Sequence, residues 1–175
     1  LTRPAARHTP SILSRVMDSL LKLIKEDASL TAAQLGKLLN VPESEVQLRL
    51  AKLRADQVIL GSRTILNEEK LGVERVRAVI EVKITPEREG GFNRLAERIS
   101  KYAEVQSCYL MSGGYDLLVF VEGTNLRQVA TFVSEKLATI QGVVSTATHF
   151  MLKPYKEQGV LMSQERNDER LAVSP

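Results

Sequence analysis

The sequence predicts an α+β protein in which an N-terminal winged helix-turn-helix precedes a ferredoxin-like βαββαβ sandwich. Between residues 14 and 57, apolar side chains recur at three- and four-residue spacing, which is typical of amphipathic helices. From residue 76 the pattern changes to alternation of apolar and polar residues, which is typical of strands. Two apolar runs also flank Gly113–Gly114, and this arrangement predicts a β-hairpin because glycine readily adopts the positive φ angles of tight turns.

Composition limits the choice of function. A chain of 175 residues fits one large or two small domains, and the change of pattern near residue 67 favours two. The net charge is +3, and the helical N-terminal part is the more basic, which suits contact with phosphate groups. No apolar run reaches the ~18–20 residues that a membrane helix needs, and no signal peptide opens the chain. We therefore expect a cytoplasmic protein without a membrane partner.

The residue types that carry catalysis or bind metals are scarce. Cys108 is the single cysteine, so an intramolecular disulfide is excluded, and its position in a predicted strand favours a buried thiol over a reactive one. His8 and His149 have no cysteine, histidine or carboxylate neighbours at ligand spacing. The sequence therefore predicts no metal, no cofactor and no enzymatic activity.

The N-terminal module is predicted over residues 14–66. Thr31 and Gln34 form a capping-box pair before the second helix, and Asn40–Pro42 breaks the chain before a third helix at about residues 43–57. Two segments, 58–60 and 64–66, are predicted to form a small two-stranded wing. The apolar faces of the three helices consist of Val16, Met17, Leu20, Leu21 and Ile24; Leu35, Leu38 and Leu39; and Val46, Leu50 and Leu53.

The second domain is predicted over residues 76–156, after a hinge at 67–75. Strand 76–84 comes first, and the last strand covers 143–152. Between them, Thr124 or Asn125 can cap a helix. The predicted helical faces consist of Phe92, Leu95, Ala96 and Ile99, and of Leu126, Val129, Ala130, Val133, Leu137 and Ile140. Two helices cover only one face of a four-stranded sheet, yet strand 117–121 is apolar on both faces, which predicts a partner subunit.

Both termini fall outside this pattern. Residues 1–13 contain Arg3 and Arg7 but no acidic residue, and we interpret them as a flexible basic arm or simply an irregular terminus. Residues 157–175 are polar and are predicted to form a loosely ordered tail.

The third helix is the candidate DNA-reading element, because the second helix of a helix-turn-helix lies in the major groove. The amide of Gln47 suits a bidentate contact with adenine. Glu43 and Glu45 favour the helix N-terminus but repel nearby phosphate. A packing module with a solvated polar face is the alternative. The predicted DNA-contacting residues are Ser44, Gln47 and Leu48 near the helix start, and Arg49, Lys52 and Arg54 for phosphates or guanine.

The glycine hairpin is the candidate ligand site. Backbone N–H groups near Gly113 and Gly114 could hold a carboxylate, and Asp116 could hold an ammonium group. The residues alone favour a plain turn, in which Asp116 accepts a local hydrogen bond. The full predicted effector set consists of Met111, Ser112, Gly113, Gly114, Tyr115 and Asp116, with a hydroxyl from Thr146 or Thr148.

Several short patterns occur together in a specific order. They are Asp18-x-Leu-Leu-x-x-Ile24, Ala33-x-Leu35, Val46-x-x-Arg49-Leu-x-x-Leu53, Val58-Ile59-x-Gly61, Leu71-Gly72, Gly114-Tyr115-Asp116, Gly142-Val143, Thr148 and Lys153. In these features, over about residues 16–156, the chain resembles the Lrp/AsnC, or feast/famine, family of transcription regulators. Pro42, where the family usually has a serine cap, and Gln57, where it commonly has glycine, depart from the pattern.

The resemblance implies double-stranded DNA as a partner and a C-terminal domain that dimerises and binds small effectors, usually amino acids. Family dimers often assemble into octamers, and their effectors lie between dimers near the hairpin that corresponds to Met111–Asp116. Two alternatives stay open. One is a nucleoid-organising protein without effector response, and the other is an enzyme similar to the sirohaem decarboxylases of related fold.

Overall fold

The computed structural model of the protein describes residues 12–85 and 92–162. The chain divides after Thr64 into two compact units. The predicted basic arm up to residue 11 and the tail from residue 163 lie outside the described residues.

The first unit contains three helices, α1 (Ile12–Glu26), α2 (Ala32–Leu39) and α3 (Glu43–Ala55). Among the side chains that the structure describes, the buried core of this unit consists of Leu20, Leu35, Val46 and Leu53. The predicted core side chains Val16 and Met17 lie outside the described ones. The predicted capping box is present, because the Thr31 hydroxyl accepts from the Gln34 N–H while Gln34 Oε1 accepts from the Thr31 N–H at 2.8 Å. Satisfying these end groups fixes where α2 begins.

The turn between α2 and α3 is closed by a tight backbone approach. Asn40 adopts the left-handed conformation (φ 54°), and the Val41 N–H donates to the Gly36 carbonyl at 3.0 Å. A Cβ atom at position 36 would lie 2.8 Å from the Val41 carbonyl oxygen, so only glycine fits there. Pro42 precedes α3 without a side-chain cap.

Two predictions for this unit are wrong. Leu38 is 60% exposed rather than packed. The wing is absent, since no residue between 58 and 66 belongs to a strand. The physical reason is that the Val58 and Ile59 N–H groups both donate to the Leu53 carbonyl, which ends α3, and the segment that follows is largely exposed and unpaired with any strand.

The second unit has the predicted ferredoxin-like order. A one-turn helix α4 (Glu68–Leu71) precedes β1 (Val76–Ile84), α5 (Asn93–Ser100), β2 (Val105–Leu110), β3 (Leu117–Gly123), α6 (Leu126–Thr131), a π-helical turn (Phe132–Leu137) and β4 (Val143–Phe150). The sheet order is β2-β3-β1-β4, and every neighbouring pair is antiparallel. The predicted hinge therefore contains α4, capped by the Asn67 side chain.

The two faces of the sheet differ. Alternate residues of β1 and β3 are buried against the helices, as period-two strands require. The opposite face, which we call the open face, carries Val79, Tyr109, Leu118 and Phe120 as half-buried or exposed side chains. Tyr109 and Phe120 pack edge to face there, with ring centroids 6.0 Å apart.

The last helical segment buries a partly different set of residues from the predicted one. Leu126 and Ala130 are exposed, contrary to prediction, whereas Phe132 is buried and packs edge to face on Tyr102. Both exposed residues lie in regular α6, where Val129 is the buried residue, so being apolar and on the predicted stripe was not sufficient to reach the core. The π turn spaces the next buried residues, Phe132 and Leu137, five positions apart.

The chain beyond β4 is more ordered than predicted up to residue 162. Strands β5 (Lys156–Glu157) and β6 (Val160–Leu161) form a hairpin whose central residues both have positive φ. The Asn67 side-chain amide donates to the Met162 carbonyl at 3.2 Å. Arg77 pairs with Glu68 of α4 at 2.7 Å and with Glu157 of β5 at 3.6 Å. These contacts hold the hairpin against the first turn of the second unit.

Candidate functional site

The exposed face of α3 carries most of the predicted DNA-reading residues. Ser44, Gln47 and Leu48 are exposed, and so are Lys52 and Arg54. The buried side chains Val46 and Leu53 lie on the other side of the helix, against the core. Five of the six predicted side chains thus share one accessible surface, which is where a major-groove contact would form.

Arg49 does not lie on that surface. Its side chain is only 11% exposed and forms an ion pair with Glu45, one helical turn earlier. Holding the guanidinium there removes it from the surface available to DNA, so its predicted contact with phosphate or guanine does not match this geometry.

The side chain of Gln47 is held by Glu43, a residue for which the sequence predicted only a role at the N-terminus of the helix. Its Nε2 donates to Glu43 Oε1 at 2.9 Å, which leaves the amide oxygen and the second N–H for other partners. The i,i+4 spacing of the two residues is the signal that could have predicted this contact.

The hairpin between β2 and β3 positions the candidate ligand site. The Met111 N–H donates to the Asp116 carbonyl at 2.8 Å, and this bond closes a loop over residues 112–115. Gly113 has φ 150°, and a Cβ atom at Gly113 or Gly114 would meet nothing within 4 Å. The loop therefore exposes backbone on which a small anionic group could be received.

Asp116 has an architectural contact. Its Oδ2 accepts from the Ile84 N–H at 2.8 Å, and its own N–H donates to the Val82 carbonyl at 3.0 Å. The pairing of β1 with β4 shifts register between Lys83 and Ile84, so the carboxylate binds a backbone group next to an irregularity in the sheet. Sequence reasoning missed Ile84 because this contact joins residues 32 positions apart.

The two threonines lie apart from the hairpin. Thr146 pairs with Val82, and Thr148 pairs with Ile80, so both are on the helix-covered side of β4. Leu117 pairs with Val82 from the other side of β1, which places Thr146 two strand spacings, ~10 Å, from the start of β3. One subunit therefore brings together Met111–Asp116 but not the threonines.

Other chemistry finds little support in the described residues. No group of three or more metal-ligating side chains occurs among residues 12–85 and 92–162. Burial raises the pKa of the Cys108 thiol, which disfavours the reactive thiolate. Within the same ranges, no helix has the length and apolar character required to cross a bilayer.

Comparison with known proteins decides the family. Residues 77–161 match the Lrp/AsnC ligand binding domain. Over 157 residues the chain is 41% identical to YugG, an uncharacterized HTH-type transcriptional regulator of Bacillus subtilis. The match covers 89% of this chain and 95% of that protein. The chain belongs to the Lrp/AsnC family of transcriptional regulators. It is therefore a helix-turn-helix regulator with a ligand-binding domain and not an enzyme, which removes the decarboxylase alternative.

Further relatives agree with this Lrp/AsnC assignment. A proline dehydrogenase transcriptional activator of Rhizobium radiobacter is 30% identical over 141 residues, covering 81% of this regulator and 90% of the activator. Among solved structures, a transcriptional regulator from Neisseria meningitidis in complex with L-Met has a TM-score of 0.65 at 24% identity, covering 84% of this chain and 94% of that one. Escherichia coli AsnC has a TM-score of 0.61 at 20% identity, with 82% and 94% coverage. These structures share the fold.

Proposed function

We propose that this regulator binds specific DNA sequences through α3 and changes that binding when its C-terminal unit takes up an amino acid. The observation that carries the proposal is the exposed face of α3, where polar and cationic side chains stand together on a helix-turn-helix whose partner unit matches a ligand-binding domain. A regulator with this role acts where the chromosome is, in the cytoplasm.

The chemistry of the hairpin supports a zwitterionic effector. Open backbone at Gly113 and Gly114 suits a carboxylate, and the Asp116 carboxylate oxygen that does not bind Ile84 suits an ammonium group. Met111 and Tyr115 would shape the space for the ligand's side chain. The structural relative in complex with L-Met and the activator named for proline dehydrogenase both support amino acids as the ligand class.

Assembly completes the proposed site. The hairpin lies at an exposed loop, in which Met111, Ser112, Gly113 and Gly114 are all exposed. We infer that a second subunit supplies the remaining walls, with a dimer formed through the open face and dimers joined into an octamer. In that arrangement Thr146 and Thr148 could line a site with a neighbour's hairpin.

DNA reading is tested by comparing two exposed residues of α3. Gln47→Ala should cost roughly 1–3 kcal/mol of binding free energy and relax the base preference, because it removes a base contact. Lys52→Ala should weaken binding to all DNA sequences alike. It should also lower the slope of log affinity against log salt concentration by about one per lost phosphate contact. Binding isotherms at several salt concentrations measure both. Unchanged affinity and preference in Gln47→Ala would remove this side chain from base reading.

Effector sensing is tested by a thermal-shift screen of the common amino acids on the full chain. A ligand at about 100 times its dissociation constant stabilises the native state by about 2.7 kcal/mol. The same amino acid should then shift the DNA-binding isotherm. If no amino acid changes either the melting temperature or DNA affinity, the nucleoid-organising alternative is favoured.

A further inference from the structure

The exposed face of α3 has an apolar centre, formed by Leu48, Ala51 and Ala55. We name it the apolar strip and propose that it reads thymine methyl groups in the major groove, with Leu48 as the specificity-determining residue. The inference rests on the proposed DNA-binding function and adds the class of base that is recognised. Leu48 is 72% exposed, so its side chain is free to contact whatever lies in front of α3.

Helix geometry aligns the apolar strip along the groove. At ~100° per residue, its three residues fall within about 60° of one another around the helix axis. At ~1.5 Å per residue, the strip extends over about 10 Å, which is close to three base-pair steps of ~3.4 Å. Its other members are small, so the Leu48 side chain protrudes beyond them toward whatever fills the space in front of α3.

Cations flank the apolar strip on both sides. On the helical wheel, Lys52 and Arg54 lie on opposite sides of its centre, each roughly 65–95° away. Both are exposed, and neither forms an ion pair within the part of the chain that the structure describes. This order of cation, apolar centre and cation matches a groove ~12 Å wide, with phosphates on both walls and base edges at the floor.

The chemistry of the strip selects one base. A leucine side chain neither donates nor accepts hydrogen bonds, so among base edges in the major groove it can favour only the thymine C5-methyl group. Arg49, which could have read guanine, is held by Glu45 away from this surface. A protein partner fits less well, because one leucine and two alanines offer far less than the ~800 Å² that each side of a stable interface buries.

The test uses the full chain and a duplex selected by it from a randomised pool. Each thymine of the selected duplex is replaced in turn by deoxyuridine, which removes only the methyl group. At one or two positions we expect affinity to fall about fourfold, the value of one buried methyl group. At the position where the loss is largest, which we assign to Leu48, the Leu48→Ala variant should bind the thymine and deoxyuridine duplexes equally well, because its shorter side chain no longer reaches that methyl group. Lys52→Ala is the matched control: it should weaken both duplexes and keep their ratio.

The outcomes separate this inference from the function on which it rests. If no duplex is enriched from the pool, sequence-specific binding itself fails and the inference with it. If a duplex is enriched but no deoxyuridine replacement weakens it, or if Leu48→Ala keeps the sensitivity, the methyl contact is overturned while the regulator function stands. If Leu48→Ala changes the sedimentation coefficient but leaves DNA affinity unaltered, the proposed methyl contact is overturned, and Leu48 contacts a protein surface instead.

Discussion

At the scale of a single residue, Asp116 makes a structural contact and is also proposed to bind the ligand. One carboxylate oxygen accepts from the Ile84 N–H and joins the hairpin to the end of β1. In the proposed site, the other oxygen receives the ligand's ammonium group. The observed contact crosses the sheet, so it differs from the local turn hydrogen bond that the residues alone favoured.

Two substitutions at this position separate the tasks. Asp116→Asn keeps an oxygen acceptor for Ile84 but removes the charge, so we expect stability close to wild type. Amino-acid affinity should fall by about 1.5–3 kcal/mol, the value of a hydrogen bond to a charged group. Asp116→Ala should lose stability as well. Calorimetric titration of both folded variants measures their amino-acid affinity. If the affinity of Asp116→Asn is unchanged, the carboxylate only accepts the hydrogen bond from Ile84 and does not bind the ligand.

At the scale of elements, the turn between α2 and α3 determines how α3, the proposed DNA-contacting helix, is oriented within the first unit. Gly36 lies under the Val41 carbonyl, and the backbone at this point has no room for a side chain. The left-handed Asn40 then redirects the chain into α3. The position of Gln47 and Leu48 on an exposed face depends on this geometry as much as on α3 itself.

Gly36→Ala should therefore destabilise the first unit by about 1–3 kcal/mol, as overpacked sites do. Gly61→Ala is the control, because a Cβ atom there would meet nothing within 4 Å and its φ is ordinary, so its effect should be within ~1 kcal/mol. Urea denaturation gives the free energy of unfolding, and hydrogen exchange at the Leu35 and Val46 amides localises the loss. Equal stability of the two variants would contradict the close approach.

At the scale of the whole molecule, the open face of the sheet points to self-association. Leu118 and Phe120 alternate along β3 with residues that face the helices, so the strand is apolar on both sides. The helices of the second unit cover the other face, where the buried core lies. Covering an apolar sheet face with a copy of itself is the simplest way to remove it from water.

Phe120→Glu should dissociate the proposed dimer, because it places a charge at the centre of the open face. Sedimentation velocity at micromolar concentration should show a dimer or larger assembly for wild type and a smaller species for the variant. Gln141→Glu, in an exposed turn, adds the same charge elsewhere and should leave assembly unchanged. A Phe120→Glu protein that sediments like wild type would exclude the open face as the interface, and a monomeric wild type would remove the argument for a dimer.

The sequence by itself determined the order of elements and the class of protein. Period-two and three-to-four-residue patterns, the Thr31 capping box and the glycine hairpin are local signals, and each predicts structure because short-range geometry dictates it. The order of short motifs from Asp18 to Lys153 likewise indicated the Lrp/AsnC family. Local signals were sufficient to predict an element wherever the residues that stabilise it are close together in the sequence.

Only the tertiary structure decided how individual side chains are used. Arg49 pairs with Glu45, Phe132 lies in the core while Ala130 is exposed, the wing is absent, and Asp116 reaches Ile84 across the sheet. The burial of Phe132 depends on packing, and the Asp116 contact depends on a backbone group distant in sequence. The Arg49 ion pair and the end of α3 depend on local contacts that compete with the predicted ones. Periodicity reports which face of an element is apolar, but it carries no information about which distant atom a polar side chain will meet.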